Sequence, residues 1–515
     1  MPEAQLTSYE EVPYGSKPLY PTHPDCLATV ATLMGMRPAA VENCRVLELG
    51  CATGGNLIPM AATLPDSHFV GIDLSPRQIA EGQKLVDALG LSNIRLAPVS
   101  ITDVDDDFGQ FDYIICHGVY SWVPPAVQDK ILDVCSRNLA PQGVAYVSYN
   151  TYPGWHARGM VREMMGFHAR RFDDPGVRVG QARAFLEFVA KGVTEQDTAY
   201  ARVLREEAEM LRPKADYYLF HEHLEDVNQP LYFHEFADRL AARQLQYLGE
   251  AWFHTNPAKL APDVWETLQQ LSADLIALEQ YLDFLDNRTF RRTLICHDQV
   301  RLDRAPSASI VAKMHMSALA RPVSESLDLS LSAVEEFRSD EGASASTNIP
   351  AVKAALVALF EAWPASLSFD ELWAEVQRRL APASIAAGTA EALAESLVHC
   401  YLSNVVALHV SPAQFALTAG QRPVASPLAR CQSKLGQPIA NLRHRIVELS
   451  EADRLVLDML DGRTDRAALA VALATANAGG AEQAESKNGQ WLEESLDRLA
   501  RSALLERADI RGSTN

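Results

Sequence analysis

Between Asn43 and about Tyr152 the chain alternates short apolar runs with helix-length segments, and this alternation predicts a parallel sheet whose strands are joined by crossover helices. The runs are RVLELG, HFVGID, NIRLAPVSI, FDYIICHG and GVAYVSYN. Asn56 to Leu64, between the first two, has helical composition. Pro76 to Leu89, between the next two, follows Ser75, which suits an N-cap, and opens on a proline, which suits a first helical turn. Such βαβ units take the right-handed connection.

The first strand runs straight into CATGGN, so that Glu48, Gly50, Ala52 and Gly54 form an E-x-G-x-A-x-G pattern at a strand-to-helix turn. Glycines there remove side chains where backbone must approach a ligand, and the following helix offers free N–H groups. A glycine-rich turn alone also suits a nicotinamide or flavin site, or plain strand–helix packing. Spacing decides. Asp73 stands twenty-five residues after Glu48, at the end of FVGID, where a carboxylate can accept hydrogen bonds from both ribose hydroxyls. No G-x-G-x-x-G loop is present to seat a pyrophosphate. The pattern points to a nucleoside ligand.

At 515 residues the chain exceeds what one hydrophobic core organises, and three or four domains are expected. After about Pro153 helical periodicity takes over, as in Thr198 to Leu211 and Pro257 to Leu285. FRSDEGASASTNIP, from Phe337, reads as a linker or exposed loop, and Thr475 to Gln490 as a second loop. The apolar spacing of Glu395 to Val410 returns from Glu494 to Ile510. Each copy follows two shorter helices, VKAALVALFEAWP with FDELWAEVQRRL and ADRLVLDMLDG with DRAALAVALA, Ser450 capping the latter pair. Two winged-helix-like modules are predicted.

Such modules often bind DNA, but a net charge of −20 and the lack of a basic stripe disfavour a nucleic-acid partner. The same charge inclines the protein toward cationic acceptors such as amines. Eight scattered cysteines without a Cys-x-x-Cys pair fit reduced thiols and give a structural zinc no support. With an acidic start unlike a signal peptide and no long apolar run, a cytoplasmic protein without membrane insertion is expected.

The leader SYEEVPYGSKPLYPTHPDCLA, the turn VLELGCATGGNLIPMA, FVGIDLS, and the segments HEHLEDVNQPLYFHEF, YLDFLDNRTFRRTLICH and NLRHRIVELSEADRLVLDMLDGRTDR carry a resemblance over nearly the whole chain. The sequence resembles the class I S-adenosylmethionine-dependent methyltransferases, and more narrowly the bacterial group that includes the rickettsial protein lysine methyltransferases with a regulatory domain. The resemblance implies an α/β, Rossmann-like seven-stranded domain over 1–165 and a mainly helical regulatory or substrate-positioning domain over 166–310. Winged-helix-like modules would follow over 311–420 and 421–515. The implied cofactor is S-adenosyl-L-methionine. Glu48, Gly50, Cys51, Ala52, Gly54 and Asn56 would line its methionine and ribose part, Asp73 would bind the ribose, Leu74 would flank adenine, and Ser100 and Ile101 would contact the adenine edge. His117 would sit beside the transferred methyl, and Tyr20 and His23 would fold over the cofactor.

The segments HGVYSWVP and SYNTYPGWH bring Tyr120, Trp122, Tyr149, Tyr152 and Trp155 to the ends of adjacent strands, where ligands sit in open sheets. His117, Tyr120, Trp122 and Tyr152 are the candidate catalytic residues, suited to caging a cationic amine; the same aromatics suit packing against the middle of the chain. His221, Glu222, His223, His234 and Glu235 lack His-Glu-x-x-His spacing, so no metal is assigned, and a domain contact or substrate channel is expected. The arginines of NRTFRRT are expected to pair with acidic neighbours. The expected activity is lysine N-methylation of a protein acceptor, with a small-molecule acceptor as the alternative and a homodimer left open.

Overall fold

A computed structural model describes Val12 and residues 15–193, 198–252, 260–339, 342–380, 389–476 and 484–507. Five strands fall on the apolar runs: β1 (Arg45–Leu49), β2 (His68–Asp73), β3 (Ile94–Pro98), β4 (Phe111–Cys116) and β5 (Leu139–Asn150). The helix Pro76–Leu89 begins where Ser75 Oγ accepts from the Gln78 N–H and ends at Gly90 in the left-handed region. Two further strands, β6 (Leu245–Glu250) and β7 (Phe290–His297), complete a seven-stranded sheet of order β3-β2-β1-β4-β5-β7-β6. All neighbours are parallel except that β7 runs antiparallel to both β5 and β6.

Successive residues of each central strand enter opposite cores. Val46, Phe69 and Tyr113 pack with Leu27, Ile58 and Met60 on one face; Leu47, Ile72 and Ile114 pack with Leu132 and Phe236 on the other. The strands are buried on both faces, as parallel strands between helices are.

The sheet crosses the expected boundary at residue 165, because β6 and β7 belong to the segment assigned to a helical domain. Its helices Trp155–Ala169, Pro175–Gly192, Ala199–Leu211 and Asp216–His223 are an insertion between β5 and β6. The two strands hide their nature because they carry charge: Arg291 is fully buried in β7 and pairs with Glu250 of β6 at 2.8 Å, Asp283 at 2.8 Å and Glu279 at 3.0 Å. Arg288 also meets Asp283, at 3.1 Å, so these arginines pair with acidic neighbours as expected.

Within 311–420 the helices Pro350–Ala362, Phe369–Arg379 and Ala390–Leu402 pack with a three-stranded sheet of His315–Ser317, Leu367–Ser368 and Ala407–His409. The stretch from Phe337 is not a linker: Glu335–Arg338 and Ser344–Thr347 form an antiparallel hairpin that buries Phe337. Its Gly and Ser residues belong to the hairpin's turn and edge, while residues 340 and 341 lie outside the described residues. In the last module, helices Glu451–Met459, Arg466–Ala476 and Ala484–Arg501 surround Leu457, Leu469 and Leu496, and Ser450 caps the first by accepting from the Asp453 N–H. The expected loop at 475–490 is helical at both flanks, whose Ala and Glu residues favour helix, and 477–483 lie outside the described residues. No helix among the described residues is long and apolar enough to cross a membrane.

Candidate functional site

Where the parallel strands end, a cavity of about 360 Å³ opens between the first turn and the inserted helices. Its lining includes Gly50, Ala52, Asp73, Leu74, Ser100, Ile101, His117 and Trp122. Gly50 turns there with φ 76°, and the N–H groups of Gly50 and Cys51 both donate to Ile72 O, at 2.9 and 3.0 Å. A Cβ on Gly50 would stand 2.5 Å from Val119 Cγ2, so only glycine lets this loop and the β4 loop close together. Ala52 holds φ 50°, a left-handed conformation that its motif normally assigns to glycine.

Asp73 is fixed by the turn it serves. Its Oδ2 accepts from the Ala52 N–H and its Oδ1 from the Ser75 N–H, both at 2.9 Å, which aims the carboxylate along the cavity wall. Leu74 beside it is 61% exposed, a large apolar side chain that a flat ring can cover. His117 Nδ1 lies 2.9 Å from Tyr146 OH and 3.2 Å from Ser148 Oγ. Burial, with Arg292 and Lys17 nearby, pushes its imidazole down to about 3, so it is neutral at physiological pH.

A protein of Rickettsia prowazekii (strain Madrid E) called uncharacterized protein RP789 is 38% identical over 504 residues, spanning 95% of this chain and 89% of its own length. Residues 47–145 match the family described as a methyltransferase domain, 215–297 a predicted methyltransferase regulatory domain, and 421–506 the PKMT C-terminal winged helix domain. The chain belongs to the class I S-adenosylmethionine-dependent methyltransferases that carry these two additional domains. Among solved structures, PKMT2 from Rickettsia typhi in complex with AdoHcy superposes with a TM-score of 0.82 at 29% identity, covering 96% of this chain and 100% of that one. Uncharacterized protein RP028 of R. prowazekii is 42% identical over 241 residues, 47% of this chain and 96% of its own length.

The residues of this methyltransferase fit S-adenosyl-L-methionine, the family's cofactor. A carboxylate faces the cavity at Asp73, and glycine opens the turn. Beneath the turn, Glu48 is buried, receives Asn56 Nδ2 on Oε1 at 2.9 Å, and has no partner for Oε2. Burial pushes Glu48 up to about 8. Cys51 is buried too, its Sγ packed toward Gly71 of β2, and its thiol is raised chiefly by burial. Gly54, at φ 72°, packs against Leu96. Glu48, Cys51, Gly54 and Asn56 therefore shape the turn from below and are absent from the cavity lining.

Tyr20 and His23 stand elsewhere. They border a different cavity, with His409, Ser411 and Arg443; Arg445 lies over the Tyr20 ring at 4.4 Å and His444 meets His23 at 5.3 Å between ring centres. The leader does cover the cofactor turn, but through Ser16, whose Oγ accepts from the Gly55 N–H at 2.8 Å. Tyr120 is not at the cavity: it is fully buried, its hydroxyl accepting from Arg239 and its ring against Phe236. Tyr149 and Trp155 are also buried, and Tyr152 stacks on His156 at 4.1 Å in a separate cluster with Tyr232. Of the expected aromatic cage only Trp122 lines the cavity, with Arg162 over its ring at 5.9 Å.

The lining also holds Gln78, Val119, Val127 and Phe290, which the sequence reading did not single out, and His221 and Glu222, for which it expected a domain contact or substrate channel. The last two come from the family-like segment HEHLED, which the inserted helix Asp216–His223 carries to the cavity. His221 Nδ1 meets Glu225 at 2.7 Å and its Nε2 donates to Val12 O at 2.7 Å, joining the leader to this helix. Among the described residues no group of three His, Cys, Asp or Glu is arranged to hold a metal.

One buried cluster imitates a nucleophile relay. Asp25 Oδ2 meets His409 Nδ1 at 2.7 Å and His409 Nε2 meets Ser317 Oγ at 2.9 Å. Arg443 also donates to Ser317 Oγ, at 2.8 Å, and all four side chains are buried, so the cluster fastens the leader to both C-terminal modules.

Proposed function

We propose that this enzyme methylates the ε-amine of lysine in a protein acceptor, working in a reducing cytoplasm. The observation that carries this reading is the charge of the cavity: among the described residues two carboxylates, Asp73 and Glu222, line it, with no lysine or arginine. A cation is drawn to such a wall, and the Trp122 indole adds an aromatic face.

Cavity size supports the same acceptor. A cofactor of drug size occupies most of about 360 Å³, so what enters beside it must be slender, as an unbranched lysine side chain is. The full-length likeness to a protein named PKMT2 agrees with this, and eight unpaired cysteines suit the compartment.

S-adenosyl-L-methionine supplies a methyl group already activated on a sulfonium, so the protein's task is chiefly to place and deprotonate the nucleophile. Asp73 holds the ribose. His117 stays neutral and so adds no positive charge where sulfonium and ammonium must both approach.

The test is transfer of radiolabelled methyl into a size-fractionated lysate, with Asp73→Ala as control. Label recovered as N-methyl-lysine after hydrolysis of the protein fraction is expected; label confined to small molecules would reverse the reading. Asp73→Ala is expected to weaken cofactor binding by about 2 kcal/mol or more, since a charged acceptor of hydroxyl hydrogen bonds is lost.

A further inference from the structure

Glu222 differs from Asp73, with which it shares the cavity, in origin and in partners. It comes from the helical insertion, not from the sheet; among the described residues no side chain hydrogen-bonds or ion-pairs with its carboxylate; and it shares the cavity with Trp122 and His117. The two nearby arginines are engaged elsewhere. Arg158 pairs with Glu207 at 3.5 Å, and Arg162 donates to Glu225 O. A half-buried carboxylate in a cavity wall with no protein partner is free to pair with a group that enters the cavity.

We infer that Glu222 receives the acceptor's ammonium group and takes its proton ahead of methyl transfer. This inference rests on the lysine reading above. An ε-ammonium has no lone pair, so one N–H proton passes to the Glu222 carboxylate, giving a carboxylic acid and a neutral amine. The amine's lone pair then forms the N–C bond while the C–S bond breaks and its electron pair stays on sulfur. The product leaves as a methylammonium, and Glu222 returns its proton to water.

The surroundings tune the group for this exchange. Burial raises it to about 7, against the opposing pull of Arg158 and Arg162 on the helix Trp155–Ala169 and of His221 on its own helix. Tyr218 stands on the same helix and feels the Glu222 charge, while Glu207 faces in with Arg158. A carboxylate near neutrality binds a proton well enough to take it and weakly enough to release it. His117, the other titratable group in the cavity beside Asp73 and His221, is held neutral and cannot serve as a cationic substitute.

The experiment compares the full-length wild type with Glu222→Gln and Glu222→Asp in two readouts. The first is binding of n-butylammonium, a lysine side-chain mimic, to protein saturated with S-adenosylhomocysteine. The wild type is expected to bind it at least tenfold more tightly than Glu222→Gln, with Glu222→Asp between them. The second is the rate of N-methyl-lysine formation in lysate protein against pH. The wild-type rate is expected to rise and level near pH 7. The Glu222→Gln rate should be about a hundredfold lower at pH 7 and climb steadily to pH 9, following the amine's own ionisation.

Equal butylammonium affinity in wild type and Glu222→Gln, or matching pH profiles, would overturn the inference. So would loss of S-adenosylhomocysteine binding in both variants, which would make Glu222 a cofactor ligand. The lysine reading is judged on the wild type alone: absence of N-methyl-lysine there, with butylammonium still bound through Glu222, removes the protein acceptor and leaves a small amine in its place.

Discussion

His444 Nε2 donates to Asn56 Oδ1 across 2.8 Å, and Asn56 Nδ2 donates in turn to Glu48 Oε1 at 2.9 Å. The C-terminal module thereby reaches the underside of the cofactor turn. The imidazole is buried and held well below its ordinary range, so it makes this contact as a neutral donor.

Replacing His444 by alanine removes that donor and leaves Asn56 Oδ1 with only the Leu19 N–H and the Thr22 hydroxyl. A buried polar group that loses a partner costs about 1–3 kcal/mol. Calorimetry with S-adenosylhomocysteine is expected to show a several-fold loss of affinity, although residue 444 is remote from the cavity lining. Unchanged affinity would mean that the module touches the turn without supporting it.

Gly50→Ala brings a Cβ to within 2.5 Å of Val119 Cγ2 and places alanine at φ 76°. The backbone penalty alone is about 1–2 kcal/mol. Cofactor affinity should fall at least tenfold, and Val119→Ala in the same chain should restore part of it by removing the clash but not the strain. A Gly50→Ala enzyme that binds like the wild type would contradict this account of the turn.

How far the sequence discloses this molecule depends on whether a signal is apolar or charged. β1 to β5 are nearly uninterrupted apolar runs, and their positions follow directly from pattern. β6 and β7 contain Glu250, Arg291 and Arg292, charges that break the pattern and make sense only once paired across the sheet. Asp73 and Gly50 were legible because their chemistry is local to one turn. Tyr20 and His23 were placed over the cofactor by resemblance alone, with no local signal for their partners Arg445 and His444, which lie in the other half of the chain. Glu222 was visible as part of a motif, but only the folded insertion brings it to the cavity.

Arg291→Met removes the cation that, among the described residues, faces Glu250, Glu279 and Asp283 at once. Breaking a buried ion network from one side typically costs about 3–5 kcal/mol, because the remaining charges stay buried and uncompensated. Denaturant unfolding should show the transition of the sheet at clearly lower denaturant; a shift below about 1 kcal/mol would show that the acids simply take up protons.

His117 sets a pH dependence with a definite sign. Its folded value of about 3 lies below the unfolded 6.5, so its contribution is fully present above pH 6.5 and is lost as pH falls toward 3, while the unfolded chain gains the proton. His117→Asn abolishes that titration. The stability advantage of the wild type over this variant, measured by urea unfolding at pH 8 and pH 4.5, should therefore narrow at the lower pH. An equal gap at both values would place His117 in water.

The contact between Asn56 and His444 spans 388 positions of the chain. On a ribosome the turn, Asp73 and His117 emerge early, whereas β6, β7 and the stretch that holds His444 follow much later. The nascent chain thus carries a cofactor-binding half-site that lacks both its sheet edge and its brace. Catalytic competence is therefore expected only with nearly finished synthesis, since a chain ended early would hold the motif without the contact that His444 makes.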